Sequence, residues 1–162
     1  MPRVTTSQIE ASLRALGLAL PSPAAPAANY IPFTKVGPLV FVSGQIPKLP
    51  DGTMHKGKVG DSYTVERAQE AARVCALNIV AQIKEACKDG ELAQVKKIVK
   101  LEGFVSCGAE FTEHPEVING ASDLLVDLFG PDVGPHSRFA VGCASLPRGV
   151  PVEIGAVVEL DG

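Results

Sequence analysis

The sequence predicts an α+β fold: a mixed β-sheet with two main helices packed on one face. Two observations carry this. Segments of helical period alternate with β-prone runs, in the order short helix, β-β, long helix, β, second helix, β-β. The junctions are mostly short and marked by Gly, Pro or Asp-Gly, and none reads as a linker between domains.

Taken in order, Ser7-Gln8-Ile9-Glu10 has the S-x-x-E form of a capping box, and Ile9, Leu13 and Leu16 follow at helical spacing until Gly17. The Pro- and Ala-rich stretch after it should run extended over the surface to Tyr30. Gly37-Pro38 divides two β-prone runs, predicting a hairpin that closes at Ser43-Gly44. Residues 48 to 62 form a polar, glycine-punctuated excursion with a turn at Asp51-Gly52. Thr64 can cap a long helix over about 65–88, whose apolar face runs Ala68, Ala72, Cys75, Ile79, Ile83 and Ala86, with Asp89-Gly90 ending it. Val95 to Val105 then reads as a strand. Pro115 suits the first turn of a second helix, carried by Val117, Ala121, Leu124, Leu125 and Leu128 and stopped at Gly130-Pro131. Two apolar strands, about 137–145 and 152–160, are expected to close the chain as a hairpin.

The chain has 162 residues, enough for one domain with a real core. Residues 1–24 read as an N-terminal helix and extended segment, and 25–162 as a single domain. A formal charge of −3 argues against a nucleic-acid binder working through a basic face. No apolar run approaches the ~20 residues of a membrane helix, and the first residues lack the apolar centre of a secretory signal, so a cytoplasmic location is expected. Cys75, Cys87, Cys107 and Cys143 are scattered, without a CxxC pair, and read as reduced and buried. Val40, Val42, Val105, Val141, Val152 and Ile154 suggest a sheet apolar on both faces, and two helices cover only one. Self-association is therefore expected.

Within the final pair of strands, Arg138 and Glu153 stand out because neither charge is needed to build a sheet. Alternation puts Ala140, Gly142 and Ala144 on the side of Arg138, so the cation has small neighbours and can receive an anion through its guanidinium fork. Arg138 can equally pair with a neighbouring acid. Glu153, if partly buried beside that arginine, can exchange a proton with water. His136 reads as a polar loop residue; His55 and His114 have no second ligand at metal spacing, so no metal is expected. Neither a nucleophile elbow nor a phosphate-cradling loop occurs, and nothing implies a cofactor.

"FVSGQIP" at 41–47, Asn119, "SR" at 137–138, "LP" at 146–147 and "VEI" at 152–154 occur in an order and spacing that resemble the Rid family. This is the YjgF group of reactive-intermediate deaminases, once labelled L-PSP endoribonucleases. The resemblance spans about residues 25–160. It implies a chorismate-mutase-like homotrimer with sites between subunits. It also implies cofactor-free hydrolysis of 2-imino acids, derived from enamines, to 2-keto acids and ammonia. By the same resemblance, Arg138 binds the substrate carboxylate, Glu153 handles the water, Tyr30 and Asn119 line the pocket, and Gly44 and Ala140 offer backbone groups. The sequence departs from the pattern at Ala140, where many members have Cys, at Phe139, and at Ala28-Asn29. These departures bear on the preferred substrate more than on the chemistry. Two other functions fit the resemblance: a metabolite-binding trimer without turnover and, more remotely, an endoribonuclease.

Overall fold

Thr5 caps the first helix, two residues before the expected position. In the computed structural model, which describes residues 3–26, 28–60 and 62–162, α1 runs Thr6–Ala15, and Thr5 and Gln8 form the reciprocal capping box. Tertiary ties explain the earlier start: the Thr6 hydroxyl donates to Glu91 (2.8 Å) and accepts from the Ala93 N–H (3.0 Å). Ile9 and Leu13 are buried on the inner side of the helix. The extended segment that follows is strapped to the long helix by the Gln82 amide, which donates to the Ala24 carbonyl at 2.9 Å.

The sheet contains β1 (Phe33–Val36), β2 (Leu39–Gln45), β3 (Val95–Ser106), β4 (Ser137–Cys143) and β5 (Val152–Leu160), in the order β1-β2-β5-β3-β4. The last two strands are therefore not a hairpin. β3 lies between them, parallel to β4 and antiparallel to β5. The reason is the helix that follows β3: it carries the chain back to the end where β3 began, so β4 must run alongside β3 in the same direction. β3 is the longest strand, with Ile98, Leu101 and Val105 fully buried, and it pairs along both edges.

Helices α2 (Val65–Ala86) and α3 (His114–Val133) pack together on one face. Thr64 caps α2 as expected, but the helix ends at Ala86; Asp89 and Gly90 form the turn beyond it, both with positive φ. Pro115 sits in the first turn of α3, whose regular course breaks at Gly130 (φ 78°) before one last turn. Two glycines seat α3. A Cβ at Gly103 on β3 would come within 2.7 Å of Ile118, and one at Gly120 would strike the Gln69 carbonyl of α2. These contacts hold the intervening residue, Asn119, close over the β3-β4 edge.

Five of the six residues that suggested a sheet apolar on both sides (Val40, Val42, Val105, Val152 and Ile154) are buried on the helix-covered face. Only Val141 lies on the other. A different set makes that open face apolar: Phe41, Phe104 and Val141 remain 43%, 37% and 41% exposed, and the Phe139 ring meets Phe104 edge-on at 5.6 Å. The inference of an uncovered apolar face holds, on Val141 joined by Phe41 and Phe104.

Candidate functional site: two half-sites on opposite faces of the sheet

The six residues singled out above fall into two groups. Tyr30, Gly44 and Glu153 line one cavity of about 780 Å³. Arg138, Asn119 and Ala140 lie at the β4 edge on the helix-covered side. The expectation that Glu153 stands beside Arg138 is not met within one chain: β3 separates their strands, and the two side chains project from opposite faces.

In the first group, β5 alternates strictly. Val152, Ile154 and Ala156 are buried against the helices, which sends Glu153 to the other face. Opposite it, β2 and β5 shift register between Val42 and Gln45, a bulge that brings Gly44 up against the Glu153 carboxylate. A Cβ at Gly44 would collide with that carboxylate oxygen, so glycine is what lets the acid lie on the backbone. Glu153 is half-buried and, among the described residues, accepts no hydrogen bond and pairs with no cation. Burial raises its pKa above the ordinary 4.5. Tyr30 stands at the cavity mouth, 47% exposed. Its segment is tied to β2 by the Ser43 hydroxyl, which donates to the Ile31 carbonyl at 2.7 Å.

Replacing Gly44 by Ala is expected to displace the Glu153 side chain while leaving the fold intact, because the collision is with a movable side chain. The check is a cavity-binding titration beside a thermal melt: ligand affinity should fall and the melting temperature should change little.

In the second group, α3 places three acceptors around the Arg138 guanidinium. Nη1 donates to Ser122 Oγ at 2.9 Å; Nη2 donates to Asn119 Oδ1 at 2.8 Å and to the Pro115 carbonyl at 3.2 Å. Of its five N–H donors, three are thus used by α3. His136, read as a mere loop residue, is part of this arrangement. Its Nδ1–H donates to the Gly134 carbonyl (2.7 Å), so in the neutral ring Nε2 accepts from Ser122 Oγ–H (3.0 Å). Burial, with Arg138 and Lys97 adding to it, lowers the His136 pKa and keeps the ring neutral, although the Gly134 carbonyl pulls the other way. Sequence reasoning missed Ser122; its signal was the i, i+3 spacing from Asn119, which puts both on one helix face.

Further along the same edge, Cys107 Sγ lies 3.4 Å from His114 Nε2, the latter on the first residue of α3. All four cysteines are free; Cys75, Cys87 and Cys107 are buried and Cys143 half-buried. Burial raises the pKa of each thiol. No group of three metal-ligating side chains occurs among the described residues. Nor is any helix among them long and apolar enough to cross a membrane.

A mixed sheet with helices on one face, an unpaired carboxylate in a cavity and a guanidinium held at the far strand defines an α+β protein with two chemically distinct candidate sites. Over residues 10–152 the chain matches the YjgF/chorismate mutase-like family, and it belongs to that family. It is 47% identical to the protein TCP17 of Trypanosoma cruzi, with 99% of each chain covered. Among crystal structures it resembles Atu1372 of Agrobacterium tumefaciens, a protein of unknown function: 46% identity, TM-score 0.88, 96% of this chain and 95% of that one. A structure from Shewanella oneidensis MR-1 is 39% identical with TM-score 0.88, covering 94% and 99%.

Proposed function

We propose that the protein hydrolyses reactive 2-imino acids to 2-keto acids and ammonia, without a cofactor, in sites assembled between the subunits of a homotrimer. The observation that carries the reading is the division of labour between the half-sites: an unpaired, half-buried carboxylate with a raised pKa in one, and an anion-ready guanidinium in the other. An imino acid needs both, a cation for its carboxylate and a base for the attacking water. Since the two lie on opposite faces of one sheet, a second copy has to bring them together. The open face with Phe41, Phe104 and Val141 is the surface such copies would cover.

The reaction balances with the chain's own residues. Glu153 takes a proton from water as its oxygen bonds to the imine carbon, and the C=N bond becomes a single bond. The same carboxyl returns the proton to the nitrogen, giving a carbinolamine; the carboxylate then takes the hydroxyl proton and passes it to the amino nitrogen, so that the C–N bond breaks and ammonia leaves as the carbonyl forms. Arg138 holds the α-carboxylate throughout, so its contribution is positional, and positioning lowers barriers by several kcal/mol.

The direct assay is ammonia and keto-acid release from imines generated in situ by an amino-acid oxidase; no acceleration over the spontaneous rate would reject the reading. Light scattering at micromolar concentration is expected to give a trimer mass, and a stable monomer would reject the composite site. A non-catalytic metabolite binder would need Arg138 but gains nothing from an unpaired, half-buried acid. The family also carries an endoribonuclease label, which a net charge of −3 does not favour.

A further inference from the structure

We infer that the Glu153 cavity holds a second anion position, formed by Lys48 and Arg148, and that the favoured imino acids end in a second carboxylate. This rests on the reaction proposed above and specifies its substrate class.

Both cations line the same cavity as Glu153. The cavity, at about 780 Å³, is far larger than a three-carbon imino acid requires. Cations outside this cavity have partners: Arg138 is held by α3, Lys58 donates to the Ala144 carbonyl at 3.2 Å, and Lys100 pairs with Glu102 at 3.2 Å. Among the described residues the side chains of Lys48 and Arg148 make no hydrogen bond or ion pair.

Their backbones, by contrast, are fixed. Lys48 bridges to Met54 across the small turn at Asp51-Gly52, and its carbonyl accepts the Asn78 amide of α2 at 3.1 Å. Arg148 sits in the turn Pro147–Gly149 with φ 59°, a left-handed conformation that non-glycine residues adopt at a cost. The Gly57 N–H donates to the Gly149 carbonyl at 3.0 Å and pins that turn to the 48–62 excursion. Two independent loops thus deliver two unpaired cations to one cavity. Ala24, Ala25 and Pro26 add apolar lining to the same cavity, suited to a short aliphatic spacer between two acid groups. Arg138 would hold the α-carboxylate from the neighbouring copy, so these cations are left for the far end of the substrate.

The test compares two five-carbon ligands that differ only in the terminal acid, 2-oxoglutarate and 2-oxopentanoate, by calorimetry on the intact protein. Wild type is expected to bind 2-oxoglutarate on the order of tenfold more tightly, through charge-assisted hydrogen bonds that 2-oxopentanoate cannot make. Arg148→Asn, chosen because Asn tolerates positive φ, and Lys48→Gln should each reduce that ratio toward one. Equal affinities in wild type would overturn the second anion position, as would variants that weaken both ligands alike. In parallel, the imines of L-glutamate and L-norvaline report turnover. If neither is hydrolysed, the proposed reaction fails, while the binding ratio still decides the anion position.

Discussion

Glu153→Gln is expected to bind a 2-oxo acid nearly as well as wild type and to hydrolyse imines at least ~100-fold more slowly, the lower end of what a positioned general base contributes. The amide is close to the carboxylate in shape and keeps the packing against Gly44, so the cavity survives, but it cannot take a proton from water. A variant retaining more than about a tenth of wild-type kcat would remove Glu153 from the chemistry. The pH dependence makes a second signature. Burial raises the Glu153 pKa above 4.5, so wild-type activity should fall as pH drops through that raised value. The stability effect has the opposite sense. A carboxyl whose pKa is higher in the folded state costs stability once pH exceeds its unfolded value, because folding then holds a charge in a poorer environment. Glu153→Gln should therefore melt higher than wild type at neutral pH, with the gain vanishing below about pH 4.5.

Arg138→Ala is expected to lose both binding and turnover. Hydrogen bonds to charged groups contribute roughly 1.5–3 kcal/mol each, so 2-oxo acid affinity should drop at least ~10-fold. Arg138→Lys should fail as well. The ammonium has three donors, and α3 already offers three acceptors in Ser122, Asn119 and the Pro115 carbonyl. Nothing is then left aimed at a ligand. The sharper experiment mixes the two dead variants by co-expression. If Arg138 and Glu153 meet only between copies, every ring containing both kinds of chain has one intact site. Random mixing in equal amounts should restore about a quarter of wild-type activity in a three-fold assembly. Sites contained in one chain would restore none.

Both predictions depend on a relation between two residues that local pattern could not supply. Side-chain period located the helices and strands, because burying one face imposes a period on the segment itself. Pro115, Thr64 and Gly130 marked helix ends because their backbone chemistry acts over a turn or less. Alternation also put Ala140 on the side of Arg138 and Phe139 on the other, as the structure has it. The candidate residues were legible mainly through their resemblance to a family, and their partners were not. Ser122 and His136 join Arg138 only after α3 is laid over β4, and Lys48 and Arg148 come to line one cavity only when two loops fold onto it.

By itself the sequence determined the α+β class, the succession of elements, the small-residue face beneath Arg138 and the acid on the last strand. Tertiary structure alone decided that β3 lies between β4 and β5. The α3 crossover returns the chain parallel to β3, and the long, apolar β3 gains pairing on both edges. β5 turns Val152, Ile154 and Ala156 toward the helices, whereas β4 turns Arg138 and Ala140 toward them and leaves Phe139 and Val141 on the open face. Arg138 ends up under α3 and Glu153 on the open face, so the distance between cation and carboxylate is a property of the sheet rather than of either strand.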